Sequence, residues 1–161
     1  MHKIELTTQI NAPIERCFLL SLSVDVHCQS TKGTNEKAIA GVTSGLMKLN
    51  DTVTWRAKHF GIYQNLTSKI TQYEYPNCFV DEMMKGAFKR MYHQHLFQQN
   101  GEGTIMKDVF EFEAPFGILG KVFSKLVLVN YMRHFLEIRN STIKKVAEGE
   151  EWEKLLGILP K

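Results

Sequence analysis

Residues 104–147, TIMKDVFEFEAPFGILGKVFSKLVLVNYMRHFLEIRNSTIKKVA, decide the fold, because the spacing of their apolar side chains changes part-way along. In residues 104–113 apolar and polar side chains alternate, which is typical of a half-buried strand. Ala114-Pro115 ends that strand. From residue 116 to about 147 the apolar residues recur every third or fourth position, which predicts one helix of roughly thirty residues and about 45 Å.

The residues before this stretch predict an antiparallel sheet. His2–Ile10 alternates as a strand, and Asn11-Ala12-Pro13 ends it and begins the first of two short helices. Strands joined by tight turns follow, and Asn100-Gly101 is the strongest hairpin signal among them. The predicted strands after the helices are 36–42, 52–60, 62–73, 78–85, 87–99 and 104–113.

This order of elements predicts a single α+β domain over residues 1–161, with a core of about 3–147 and a tail over 150–161. A curved antiparallel sheet of six to seven strands would surround the long C-terminal helix. The middle of that helix is also apolar on a second side, through Leu128, Tyr131, Phe135 and Ile138. Protein or a ligand must cover such a second face.

Composition excludes several classes of protein. The 161 residues are 43% hydrophobic and 23% charged, which is ordinary for a globular chain. The formal net charge of +3 gives no strong attraction to nucleic acid or to anionic membranes, and no apolar run is long enough to span a bilayer. The start lacks the pattern of a signal peptide, and three cysteines form no C-x-x-C pair. We therefore expect a cytoplasmic protein without nucleic-acid partners or stable membrane insertion.

Alternation along the strands places ionisable side chains on the face that carries large apolar residues. His93 and His95 share a strand face with Phe97, and Asp108 shares one with Met106. Buried ionisable groups are costly unless they are paired, so two interpretations stay open. They form a structural His–Asp network, or they orient the polar head of a ligand in a mostly apolar pocket.

The pocket interpretation predicts a binding site for a hydrophobic small molecule between the sheet and the long helix. Its predicted apolar walls are Trp55, Met83, Phe97, Met106, Leu128, Tyr131 and Phe135. Its predicted polar anchors are His59, Asp81, His93, His95 and Asp108.

A metal site is a further interpretation of the pattern at His93 and His95. The H-x-H pair at 93 and 95 places two imidazoles about 7 Å apart at the backbone, and Asp81, Asp108 or His59 could supply a third ligand. Many such pairs bind nothing, so we expect neither a metal nor another cofactor. No nucleophile elbow, phosphate loop or H-E-x-x-H motif is present, and no catalytic residue is assigned.

Two features near the C-terminus are interpreted as structural. Arg139 with Lys144 and Lys145 predicts a solvated basic patch that complements the helix C-terminus. The tail carries apolar residues at helical spacing, and these would pack on the same domain or on a second copy, which leaves a homodimer open. Those tail residues are Trp152, Leu155, Leu156 and Leu159.

The order strand, two short helices, antiparallel strands and long helix resembles the helix-grip, START-like or Bet v 1-like superfamily (SRPBCC). That superfamily includes the birch-pollen allergen, lipid-transfer START domains and polyketide cyclases, and the resemblance covers residues 3–147. It implies a ligand-binding cavity, usually without a metal. Two alternatives are a polyketide cyclase or dehydratase that uses a His/Asp pair in the same cavity, and an interaction module with a filled core.

A narrower resemblance rests on short motifs such as Trp55–Ile62, WRAKHFGI, and Phe79–Met83, FVDEM. Gly86-Ala87-Phe88, His93-Gln94-His95 and Thr104–Asp108 contribute to it as well. These motifs are similar to a bacterial subgroup described as ligand-binding or cell-division-inhibitor-like. Some members of that subgroup are fused to a nucleotide-sugar-epimerase-like domain, for which this chain has no room.

Overall fold

A computed structural model describes residues 1–114 and 127–157 and contains a seven-stranded antiparallel sheet. The strand order is β1-β7-β6-β5-β4-β3-β2, so the first strand pairs with the last and the others follow as a meander. This confirms the predicted α+β architecture. The strands are β1 His2–Ile10, β2 Lys37–Gly41, β3 Thr52–His59, β4 Ile62–Glu74, β5 Cys78–Lys85, β6 Arg90–Asn100 and β7 Gly103–Glu113.

The hairpin between β6 and β7 fixes the register of the strands that carry the candidate site. Asn100 pairs with Gly103, and Gly101 in the turn has a positive φ of 63°. This confirms the hairpin predicted at Asn100-Gly101. In the resulting register His93 lies opposite Phe110, and His95 lies opposite Asp108.

Helices α1 (Ile14–Leu22) and α2 (Val24–Ser30) follow β1 as predicted, and a short 3₁₀ turn spans Lys32–Thr34. The Ser23 hydroxyl caps α2 by accepting a hydrogen bond from the backbone N–H of Val26 at 3.3 Å. The C-terminal helix α3 covers Val129–Glu148 and packs on β1, α1 and α2. The predicted start of this helix near residue 116 lies outside the described residues.

Two apolar clusters form the core. The first surrounds Phe18 of α1, which is fully buried against Phe79 and Phe97. The second joins Phe110 and Phe112 of β7 to α3. Burying this apolar surface is the main favourable contribution to folding.

The structure corrects two expectations about α3. Arg139 does not belong to a solvated basic patch, because its side chain is buried against Asp108. Ile138 is not part of the second apolar face, because 44% of its surface is exposed.

The described part of the tail, residues 150–157, packs on the rest of the chain. Helix α4 (Trp152–Leu155) places the Trp152 ring 3.9 Å from the Arg16 guanidinium, and Leu155 and Leu156 pack on the first cluster. Leu159 lies outside the described residues. Within residues 1–114 and 127–157, no helix has the length and apolar character needed to cross a membrane.

Candidate functional site

A cavity of about 310 Å³ lies between the concave face of the sheet and α3. Its wall includes members of both apolar clusters, together with a smaller number of polar side chains. A volume near 300 Å³ is at the lower end of the range for small-molecule pockets. The apolar wall includes Val53, Trp55, Ala57, Leu66, Phe79, Phe88, Met91, Phe110, Leu128, Met132, Phe135 and Leu136.

A buried polar network centred on Asp108 forms one end of this site. The fully buried Asp108 carboxylate lies 3.0 Å from His93 Nε2, through Oδ1, and accepts a hydrogen bond from Asn140 Nδ2 at 2.6 Å, through Oδ2. Arg139 Nη1 donates to Asp108 Oδ1 at 3.4 Å. The network therefore joins the sheet to α3 through several charge-assisted contacts.

Asp81 lies on the cavity side of the same histidines. Its register places it directly opposite His93, so the two side chains share one face of the sheet. Asp81 Oδ1 is 3.0 Å from His95 Nε2 and 3.8 Å from His93 Nδ1. The Asp81 side chain lines the cavity and is 19% exposed, whereas the Asp108 side chain is fully buried.

These contacts determine the charge states in the network. Burial would raise the pKa of Asp108, but the hydrogen bond from His93, the close contact with His95 and the positive charge of Arg139 hold that pKa well below its ordinary value. Burial, and then the neighbouring His95, lower the pKa of His93 from 6.5 to about 4. Asp108 is therefore an ionised acceptor at neutral pH, and His93 is a neutral ring that donates to it from Nε2.

A second group of polar side chains lines the cavity around Trp55. His59 Nδ1 and the Tyr131 hydroxyl form a hydrogen bond of 2.7 Å, which connects β3 to α3. The His27 ring stacks on Trp55 with a centroid distance of 4.1 Å. His27 Nε2 and Glu36 Oε2 lie 3.4 Å apart, and both are buried without a hydrogen-bond partner among the described residues.

Solved structures with this architecture include a START superfamily protein from Mycobacterium smegmatis and major latex-like protein 151 from Panax ginseng. The mycobacterial structure is 10% identical with a TM-score of 0.67, and the alignment covers 91% of this chain and 99% of that one. The ginseng structure is 15% identical with a TM-score of 0.67, and the alignment covers 92% of this chain and 98% of that one. The chain has the START-like helix-grip fold. Ara h 8.0201 shares it at 11% identity and a TM-score of 0.61, over 88% of this chain and 97% of that one.

No protein-family profile matches the chain, and no curated protein is detectably similar to it in sequence. The bacterial subgroup suggested by the short motifs therefore stays a prediction.

The helix-grip cavity brings most of the predicted site residues together. Those that line it are Trp55, His59, Asp81, His93, His95, Leu128, Tyr131 and Phe135. The predicted pairing of inward histidines with carboxylates is confirmed for His93 with Asp108 and for His95 with Asp81. Contact of any of these residues with a ligand stays a prediction.

Four predicted site residues lie away from the cavity wall. Phe97 packs on Phe18 in the first cluster, and Met106 is fully buried beside Ser21 of α1. Met83 packs on the second cluster without lining the cavity. Asp108 lies behind the two histidines, which separate it from the cavity. A position on the inner face of the sheet is therefore not sufficient to place a side chain in the cavity wall, because helices cover part of that face.

Sequence reasoning missed Arg139, Asn140, His27 and Glu36. For the first two a signal was present, because Leu136, Arg139, Asn140 and Ile143 follow the helical spacing of the buried stripe of α3. His27 and Glu36 had no comparable signal, because their position depends on how α2 and the residue before β2 pack near Trp55.

Proposed function

We propose that the protein binds a mostly apolar small molecule with at least one polar group, in the cavity between the sheet and α3. The observation that supports this most directly is a mostly apolar cavity wall that also contains ionisable side chains, His27, Glu36, His59 and Asp81 among them. Polar side chains in a buried wall need hydrogen-bond partners, and a polar group on the ligand would provide them.

The rest of the wall fits the same class of ligand. Aromatic and aliphatic side chains cover most of the cavity, and polar side chains such as His59, Gln64 and Asp81 cover the rest. Such a wall gives affinity through apolar burial and orientation through a few polar contacts. A cavity of about 310 Å³ also argues against the interaction module with a filled core.

Native mass spectrometry of the purified full chain tests the proposal first, through a co-purified molecule of defined mass. Fluorescence provides the second test. In a Trp152→Phe background Trp55 is the sole tryptophan, because the chain contains two. Titration with fatty acids, quinones and polyketides should change Trp55 emission in a saturable way for at least one class. No adduct and no saturable change would contradict the proposal.

A pair of neighbouring positions on β3 supplies a matched control. Ala57 is buried in the cavity wall, whereas the next residue, Lys58, is exposed on the opposite face of the sheet. Ala57→Phe should fill part of the cavity and abolish the fluorescence response, and Lys58→Phe should leave it unchanged. Tyr131→Phe, which removes only a hydroxyl, gives a milder second variant and should weaken binding of ligands that contact that group.

Catalysis in the same cavity is a second candidate, favoured by the neutral His93 beside the Asp81 carboxylate. Such a pair provides a proton acceptor for cyclase or dehydratase chemistry. If the protein only binds, His93→Ala should weaken affinity by about 1–3 kcal/mol. If it is an enzyme, the same change should lower turnover at saturating substrate by about 10²-fold or more.

A further inference from the structure

Asp81, His93 and His95 form a compact group of potential metal ligands at the Asp81 end of the cavity. One carboxylate oxygen of Asp81, one nitrogen of the His93 ring and one nitrogen of the His95 ring lie within 4.8 Å of one another. They come from adjacent positions of two paired strands, and rigid sheet positions hold them more precisely than a loop would. All three side chains line the cavity.

Asp108 lies on the opposite side of both rings from Asp81. His93 Nε2 is 3.0 Å from Asp108 Oδ1, and His95 Nδ1 is 2.9 Å from the same oxygen, although the latter contact lacks hydrogen-bond geometry. Metal-binding histidines commonly direct their second nitrogen to a carboxylate in this way, which fixes the ring and its tautomer. Asp108 is itself held by Asn140 and Arg139, so this outer support is rigid.

This arrangement leaves electron-rich atoms facing one another on the cavity side. With its proton on Nε2, His93 presents the lone pair of Nδ1 towards Asp81 Oδ1, 3.8 Å away. Arg139 pairs with Asp108, and among the described residues no Lys or Arg forms an ion pair with Asp81. A cation between these atoms would relieve the repulsion, and it would take the place of the proton in the hydrogen bond between His95 Nε2 and Asp81 Oδ1.

We propose that Asp81, His93 and His95 bind a divalent transition-metal ion of the zinc class, through Asp81 Oδ1, His93 Nδ1 and His95 Nε2. Two imidazole nitrogens and one carboxylate are ligands that such ions accept. At metal–ligand bonds of about 2.0–2.1 Å, the ligand atoms of a tetrahedral site stand about 3.3 Å apart. The distances of 3.0 Å and 3.8 Å to Asp81 Oδ1 lie on either side of that value.

Three protein ligands leave a coordination position that faces the cavity. A carboxylate, phenolate or carbonyl oxygen of a cavity ligand would bind there. This departs from the sequence-based expectation of no metal, because only the structure shows both rings between two carboxylates. The metal site does not depend on the proposed apolar ligand, so each can fail without the other.

The test uses the untagged full chain, treated with chelator and then dialysed, and titrated with Co²⁺ and Zn²⁺ alone. We expect one equivalent of Co²⁺ to bind and to give visible absorption bands typical of four- or five-coordinate cobalt, which Zn²⁺ displaces. Asp81→Asn and His95→Gln, both close in shape to the original, should weaken binding by about 100-fold or more. Asp108→Asn should weaken it by about 10–100-fold while keeping the stoichiometry.

His134→Gln is the matched control, because that side chain is 74% exposed on α3 and should not alter binding. Circular dichroism checks that each variant is folded, and NMR of the histidine rings in the unsubstituted protein gives a readout that does not depend on variants. Zn²⁺ should shift the resonances of His93 and His95 and leave that of His134 unchanged. Absence of stoichiometric binding, or equal affinity in Asp81→Asn, would show that the proposal is wrong.

Discussion

Replacement of Arg139 by methionine tests whether the network around Asp108 holds α3 on the sheet. Arg139→Met keeps an apolar stem and removes the guanidinium, which contacts Asp108 Oδ1 at 3.4 Å, Asn140 Oδ1 at 3.2 Å and the Ser21 carbonyl at 3.3 Å. Removing one partner of a buried ion pair costs about 3–5 kcal/mol. Asp108 keeps its contacts with His93 and Asn140, so we expect the lower end, about 3 kcal/mol.

Urea unfolding followed by tryptophan fluorescence, with chelator present, measures this loss. At a slope near 2 kcal/mol per molar urea, the midpoint should fall by about 1.5 M with the slope unchanged. The melting temperature should fall by about 6–12 °C, as expected for a domain of this size. Lys145→Met on the same helix removes an exposed charge and should change the free energy of unfolding by less than about 0.5 kcal/mol.

The reasoning would be refuted if Arg139→Met lost less than about 1 kcal/mol, because Arg139 would then behave as a surface residue. A double-mutant cycle with Asp108→Asn makes the test specific. If the two groups interact directly, the double variant should lose about 0.5–3 kcal/mol less than the sum of the single variants.

Three further outcomes follow from single positions. In chelator-treated protein, the free energy of unfolding should fall by up to about 3 kcal/mol between pH 6.5 and pH 4. In this range His93 is protonated in the unfolded state but stays neutral in the folded state, where its pKa is about 4. In His93→Gln, urea midpoints measured across the same range should depend less on pH. Gly41→Ala should lower the melting temperature strongly, because Gly41 has a positive φ of 74° and an added Cβ would lie 2.1 Å from the Thr52 carbonyl oxygen. Gly33→Ala is the control, because a Cβ added at Gly33 meets no atom within 4 Å. Ser23→Ala should cost about 1 kcal/mol by loss of the α2 cap, as measured by the urea midpoint.

The fold and the inward face of each strand could be predicted because they depend on local signals. Alternation with period two placed His93 and His95 on the buried face, and both are buried in the structure. The turn at residues 100–103 set the register between β6 and β7, which brings His95 opposite Asp108. A one-residue slip would turn every side chain to the other face, so alternation strongly specifies this arrangement.

The position of the cavity on that face could not be predicted in the same way. Phe97 and Phe79 lie on the same face, yet Phe97 is covered by Phe18 of α1 while Phe79 also reaches the cavity. This depends on the packing of a helix distant in sequence, which no strand pattern contains. Arg139 was misjudged for a different reason: its charge was grouped with nearby lysines, although its helical position matched the buried stripe.

The two carboxylates of the network, Asp81 and Asp108, differ in burial and in their access to the cavity. Asp108 is fully buried and contacts two histidines, an arginine and an asparagine, so the cost of burying its charge is offset within the protein. Asp81 shares the same histidines but lines the cavity, and it lacks an ion pair with Lys or Arg among the described residues. Asp81 is hydrogen-bonded to His95, and of the two carboxylates only Asp81 lines the cavity, so a metal ion or the polar group of a ligand would bind at that end of the network.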